Sequence, residues 1–523
     1  MKSFAQWMLR INLLAVMCIL AMPNTTLQAQ KVVIDNVLKA KSRGSGTIIN
    51  KNVVAGYYAF YMLDKAEKGK NNFMLVLYDQ DLVKVASDKF VADKYTIANE
   101  SAYNGTNLVI KFSSLKTKAY TYKSYNAKAE NIGTATAKME SQMDYGTSDP
   151  RTGEQGENKL LIPTDEGFVD YFILQKGIKV KTRYGMRLIG NDGKIAWTYT
   201  SPDKPKDFEG SAPLTIGGGV VISQVTKRPN LFSRDAEEYL LGVSLETGKK
   251  LFENSVEDPT HAVIGLSADA REDGGTLYGL YFDKDAKTAK DPSKGLFSFQ
   301  FGYDGKVTAR KFISWEKDVA AFLPVSSKGK IKDIGHLYFH KFQRTADGKT
   351  FGIAEQFRRE ASALGIATQV LGQGRSNTSV VKAAIEDIYL FEFDQKFDLA
   401  GVTVYDKSKT NVELPSGAEY WTPRTTGYML DLYGQFDYTF TQASTDNSEF
   451  YVGYLDRQKM EKGKRDWIFG AITYRDGGLT TDKTVVGSEA TWFTVQPAKP
   501  GYFVVTEYFR KKKTLEFRME KFN

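Results

Sequence analysis

From Gln30 onward, apolar and polar positions alternate with a period of two in short runs that are broken by Gly, Asp and Asn. A period of two places successive side chains on opposite faces of a β-strand, and long stretches with the 3.6 period of an amphipathic helix are scarce. Two kinds of turn recur between the strands. The first joins two strands through Asp-Gly or a close substitute, in 74–90, 186–199 (MRLIGNDGKIAWTY), 240–256 (LLGVSLETGKKLFENSV), 297–313, 389–405 and 467–486, with a degenerate copy at 118–137. Asp or Asn followed by Gly suits a tight hairpin, because Gly accepts positive φ and Asp bonds its own backbone. The second turn precedes these hairpins: RTADGKTFGIAEQF (344–357) and ASTDNSEFYVGYLD (443–456), expanded at 266–283 and reduced at 103–112.

Together the two turns define a unit of four antiparallel strands, and its repetition along one chain is the pattern of a β-propeller. The hairpins count seven units. Residues 491–522 add three strands and 31–38 a lone one, so a ring of eight four-stranded blades, closed by the N-terminal strand, is expected. Seven blades, or two β-sandwich domains divided near 320–335, are the alternatives. Two stretches interrupt the repeat as insertions: 139–157, polar and Gly-rich, and 358–384, where alternating small and apolar residues suit an extra hairpin or a short helix.

The segments YLLGVSLETGKKLFENS and MRLIGNDGKIAWTYTS resemble the repeat of quinoprotein-dehydrogenase-like propellers, and TADGKTFGIA resembles the turn of TolB-like propellers. Each likeness covers one or two blades and implies fold rather than activity. As a whole the chain resembles the secreted β-propeller proteins of envelope-rich Gram-negative bacteria, a resemblance that brings no defined activity. The dehydrogenases hold their quinone with residues that include a vicinal Cys pair, which this chain lacks. No cofactor is therefore expected, and Trp197 reads as a packing residue between blades.

Composition then places the chain. Lys2 and Arg10, an apolar run from Leu13 to Met22, and Ala29 before Gln30 form the pattern of a cleaved secretory signal peptide over 1–29. The apolar run is too short to span a bilayer as a helix. Cleavage would remove Cys18, the only cysteine, and two of the nine net positive charges, leaving a cysteine-free chain of net charge +7. The expected protein is exported, periplasmic or secreted, and monomeric, without disulfide or transmembrane segment. Lys and Arg are interspersed with 62 acids, which argues against a nucleic-acid partner. The one tight basic run, Arg510 to Lys513, lies between two strands and reads as a solvated hairpin turn; an anionic surface is the partner that the net charge leaves open.

Recognisable catalytic patterns are missing. His336 and His340 have the spacing of metal ligands on a helix, but on a strand they would stand ~13 Å apart. Lys residues interrupt the Asp283-Lys284-Asp285 loop where a calcium site needs carboxylates. Gly217 to Gly219 leads into a strand rather than a helix, so it cradles no phosphate. Catalytic and metal sites are accordingly expected to be none. The segment 417–429 (GAEYWTPRTTGYM) places Tyr420, Trp421, Arg424 and Tyr428 in a loop between blades, where rings can stack on sugars or peptides and Arg can hold an anion. These four are the candidate ligand-binding residues of a non-enzymatic propeller that binds a protein or glycan at the cell envelope. The alternative is a polysaccharide hydrolase or lyase using Asp or Glu at the central channel. The export reading is checked by N-terminal sequencing of the protein recovered from its native cells: a start at Gln30 is expected, and a retained Met1 refutes cleavage.

Overall fold

The computed structural model describes residues 30–37, 42–114, 116–139, 159–174, 181–203, 205–229, 236–288, 290–331, 335–371, 378–459, 465–487 and 489–522. The leader and all of the 139–157 insertion except Met139 lie outside the described residues, as do 372–377 of the second insertion.

Eight antiparallel sheets follow one another along the chain, spanning 42–93, 97–138, 161–200, 208–255, 261–314, 330–415, 438–485 and 492–521. Strand order within the first seven sheets follows the chain, except in the sixth, where Thr410–Pro415 pairs out of order. Inner strands of neighbouring blades lie against one another, as Ser42–Asn50 does against Ile97–Tyr103 and Phe208–Gly217 against His261–Arg271. The fold is an eight-bladed β-propeller. Two sandwiches divided near 320–335 are excluded, because one core crosses that point, with Tyr278 and Trp315 on one side and Phe339 and Phe391 on the other. The eighth sheet settles the count against seven. Its strands Trp492–Pro497, Tyr502–Phe509 and Thr514–Lys521 are joined at the outer edge by Lys31–Ile34, paired from Lys31↔Arg518 to Ile34↔Leu515.

Each gap between blades holds its own apolar cluster, eight in all, built from the facing sides of two sheets. The abundance of Tyr and Phe is explained here, since Tyr57, Tyr58, Tyr120, Tyr122, Phe60 and Phe73 are among the largest fully buried side chains. Flat rings fill the space between two twisted sheets with few rotamers to fix.

The recurrent Asp-Gly turn also docks blade on blade. In 190–194, Gly190 and Gly193 close the turn through the backbone, Asp192 Oδ1 accepts the Lys194 N–H, and Gly193 takes φ +74°. Three turn glycines, Gly193, Gly248 and Gly305, touch the preceding blade. A Cβ on Gly248 would lie 2.7 Å from the Trp197 ring, and one on Gly305 2.1 Å from Phe252. Trp197 Nε1 donates to the Leu245 carbonyl at 2.7 Å, so this ring is an interblade packing residue.

Because all strands alternate in direction, both recurrent turns fall on one face of the ring, and the connections of variable length fall on the other. That second face carries the described residues of 283–295 and 361–378, together with 405–438 and the basic turn between Phe509 and Thr514. In the sixth blade, Thr350–Ala361 and Thr378–Phe393 run beyond the ring, and Thr410–Pro415 pairs with the extension of the second of them, from Ile385↔Thr410 to Thr378↔Pro415. Helix α1 (Ala363–Leu371) connects the two long strands, so the insertion forms both a strand extension and a helix. The segment expected as a loop at 417–429 is instead a 3-10 turn, Ala418–Tyr420, followed by helix α2 (Pro423–Leu432). Thr422 caps α2 by accepting the Thr425 N–H, and Pro423 occupies its first turn with φ already set for a helix. Among the described residues no helix is long and apolar enough to cross a membrane.

Gly219 and Gly248 separate backbone strain from interblade contact, since their φ values are +75° and +67° but only Gly248 has a neighbour within 4 Å of an added Cβ. Gly219→Ala is expected to cost about 1 kcal/mol from conformation alone. Gly248→Ala is expected to cost about 2 kcal/mol more by overpacking against Trp197. Equilibrium denaturation of the two variants measures the difference.

Candidate functional site

The elaborated face is densest over the sixth blade. The extended strands and α2 enclose a small core of Phe357, Ala383, Ile385, Leu414, Ala418, Leu430 and Phe436, with Trp421 packed at its edge. Trp421 is thereby fixed as a structural wedge, and its carbonyl accepts from Arg359 Nη1 at 2.7 Å. Tyr420, beside it, is 86% exposed, and Tyr428 is 56% exposed. Arg424 turns inward, donating Nη1 to the Thr288 carbonyl of the fifth blade at 2.8 Å. Burial and the nearby Arg228 lower its pKa to about 10, against the pull of Glu238. The four candidates therefore do not converge on one point: two tyrosines face solvent, Trp421 packs, and Arg424 ties the connection between blades six and seven to blade five.

Next to this group lies a cavity of about 330 Å³, lined by Lys330, Gly335, His336, Phe357, Arg358, Arg359 and Pro423. Strand pairing positions its walls. The short strand Lys330–Ile331 folds back on Gly335–Arg344 with Lys330 opposite His336, and His336 lies opposite Phe357 in the next strand. Among the described residues no carboxylate lines the cavity. Arg358 is met by Glu360 at 2.8 Å and Glu386 at 2.9 Å. Arg359 instead donates to the backbone carbonyls of Trp421 and, at 3.3 Å, Glu419. Burial, then Lys330 and Arg359, depress the His336 imidazole to about 4, so it is neutral near pH 7.

Beneath the cavity, a buried charged cluster joins blade six to blade seven. Lys407 Nζ, fully buried, lies 3.2 Å from Glu355 and 2.7 Å from Asp437. Glu355 also accepts the backbone N–H groups of Asp437 and Tyr438. Burial works against the charge of Lys407, but the two carboxylates outweigh it and hold the pKa above its ordinary value. His340 lies 3.3 Å from Glu355 and 3.7 Å from Asp431 of α2, and its ring stacks on Tyr438. His336 and His340 thus sit in different surroundings, and among the described residues no three ligand-type side chains gather to hold a metal.

The inner strands carry two buried acids, Glu100 and Glu209, and a half-buried one, Asp269, whose carboxyl pKa is raised by loss of solvation. They belong to blades two, four and five, and their charged neighbours differ: Lys111 and Asp170 for Glu100, Lys227 and Glu253 for Glu209, Arg344 and Lys341 for Asp269. Glu100 accepts the Leu160 N–H at 2.9 Å, while its Oε2 is buried without a hydrogen bond. Its pKa rises to about 7. A raised carboxyl contributes stability that is full below 4.5 and lost as pH climbs through 7. Glu100→Gln keeps the acceptor without the charge, so it is expected to match the parent near pH 4 and exceed it by up to ~3 kcal/mol at pH 8. Denaturation midpoints across that range give the readout.

Sequence reasoning missed the cavity residues Lys330, Arg358 and Arg359, and it treated His336 as ordinary. The break in strand pattern at 358, which opens on two adjacent arginines, was the available signal.

The molecule is an eight-bladed β-propeller with one elaborated face. The chain belongs to the family of unknown function DUF6770, whose model matches residues 8–523. No curated protein matches. Among solved structures, it is similar to the β-propeller domain of the Trilobed protease from Pyrococcus furiosus, with 10% identity, TM-score 0.36, and coverage of 84% of this chain and 96% of that one. Prolyl oligopeptidase B from Galerina marginata gives 8% identity, TM-score 0.40, and coverage of 89% of this chain and 56% of that one. The WD40 domain of SCAP from fission yeast gives 7% identity, TM-score 0.25, and coverage of 94% of this chain and 98% of that one.

Proposed function

We propose that the protein is an exported binding propeller that takes a glycan or a protein segment of the cell envelope on its elaborated face, over blade six. The observation that supports this reading is the half-enclosed cavity beside Tyr420, one of two strongly exposed tyrosines on the same connection. Exposed rings beside a concave site suit recognition of sugar rings or peptide side chains. The leader pattern of 1–29 supports export, and the resemblance to secreted Gram-negative propellers supports a place at the envelope. The three inner-strand acids stand on separate blades with separate neighbours, which favours binding over a two-carboxylate reaction.

The test is binding of residues 30–523 to a glycan panel and to envelope fractions. The double variant Tyr420→Ala and Tyr428→Ala is expected to weaken binding about tenfold or more with an unchanged melting temperature. Turnover of a panel glycan that a single substitution such as Glu209→Gln abolishes would overturn the non-enzymatic reading.

A further inference from the structure

Resting on that reading, we infer that the cavity over blade six selects an acidic saccharide, with Lys330 and Arg359 receiving a sugar carboxylate above a floor of Phe357 and Pro423. Three features of the cavity support the assignment. Its lining among the described residues holds Lys330, Arg358 and Arg359 and no acid. Of these, Arg358 is already matched by Glu360 and Glu386, whereas the Arg359 bonds go to neutral carbonyls, so positive charge is left facing the space. The field of that charge is felt inside the cavity, because Lys330 and Arg359 both act to keep His336 neutral. An anion of fixed shape is what such a lining accommodates best.

The backbone argues for a saccharide rather than an acidic peptide. Strand Gly335–Arg344 is paired with Lys330–Ile331 on one side and Thr350–Ala361 on the other, and Phe357 to Arg359 are paired again with Ile385 to Ala383. Among the described residues, unpaired backbone at these walls is confined to the two-residue strand Lys330–Ile331 and the end of Thr350–Ala361 past Phe357, edges too short to add an extended peptide as a strand. Recognition there falls to side chains around a space of about 330 Å³, which suits one or two sugar rings, with the exposed Tyr420 beside Arg359 as a platform for the next.

Calorimetric titration of residues 30–523 with an oligogalacturonate, a neutral galacto-oligosaccharide of equal length and a poly-glutamate peptide tests the assignment. The oligogalacturonate is expected to bind at least about tenfold more tightly than either competitor, and the preference is expected to shrink with added salt. Arg359→Gln and Lys330→Gln are each expected to lose about tenfold. Lys330 is exposed and stands on its own short strand outside the α2 connection, so its variant stays informative if Arg359→Gln loosens that connection. A second readout is pH. Among the described residues, the charged groups lining the cavity with His336 are Lys330 from the short strand and Arg358 and Arg359 from Thr350–Ala361, while α2 offers only Pro423. A bound carboxylate offsets their effect, so affinity is expected to rise several-fold from pH 8 to pH 5, and His336→Gln to abolish the rise. Equal binding of the neutral sugar, tighter binding of poly-glutamate, or indifference to Lys330→Gln overturns this inference; in the first case the binding function stands. Failure of every glycan and envelope fraction to bind overturns both.

Discussion

Every blade of this protein depends on its neighbours, because a four-stranded sheet with apolar residues on both faces has nowhere else to bury them. Each of the eight interblade cores is shared, so a blade removed would expose two cores rather than one. Closure of the ring is therefore the governing constraint, and it rests on four residues. Lys31–Ile34 pairs with the last strand, placing chain segments from opposite ends of the sequence in one sheet. No cysteine among the described residues is present to assist, since the only one is Cys18. Backbone hydrogen bonds, the Lys31–Glu516 ion pair and packing of Val37 against Tyr508 hold the seam. A seam of this kind converts fraying of either terminus into loss of an interblade contact, which is costly enough to keep the ring shut.

Once the ring is closed by packing, its two faces are free to differ. One face is occupied by the short turns, some of whose glycines dock on the preceding blade, as at Gly248 against Trp197. Little length change is tolerable there, because one added residue would displace both the hairpin register and the contact. The other face has no such duty, and the long connections accumulate on it. Blade six shows how far this goes. Its middle strands continue past the ring, acquire an extra strand and two helices, and enclose a small core of their own. The buried set of Lys407, Glu355, Asp437 and His340 anchors that outgrowth to the ring. An ion cluster of this kind adds little net stability compared with apolar packing, yet it tolerates few alternative arrangements, so it fixes where α2 sits.

The strands and their turns were legible in the sequence because each signal is local: Asp-Gly after an apolar run states its own conformation. Closure by residues 31–34 could also be read, by counting strands. Helix α2 was hidden in plain view. Thr422 and Pro423 are good start signals, but the surrounding Tyr420, Trp421 and Tyr428 suggested an irregular loop, and a ten-residue helix with a polar composition has weak periodicity. The buried cluster could not have been read at all. Lys407 and Glu355 lie 52 residues apart, and nothing about either says that it is fully buried; only the extension of blade six and the start of blade seven bring them together. Arg424 was legible as a notable residue but not in its direction. It points into the ring toward Thr288 because the cap at Thr422 sets the helix axis, a geometric fact with no signature in the string of residues.

The net positive charge has a structural distribution that composition hides. Between blades two and three, Lys111 and Arg187 share the carboxylate of Asp170, which also accepts the Tyr122 hydroxyl. Between blades six and seven, Lys407 is placed against two acids. Inside the ring, then, cations are met by acids, because an unmatched buried charge would cost too much to keep. A surplus can persist only where water or a ligand supplies the missing partner, and that condition is met on the elaborated face, at Lys330, at Arg359 and along the Arg510 to Lys513 turn. The same rule that keeps buried charges matched between blades leaves unmatched charge to exposed positions, and at blade six the long connections shape a cavity around two of them, Lys330 and Arg359.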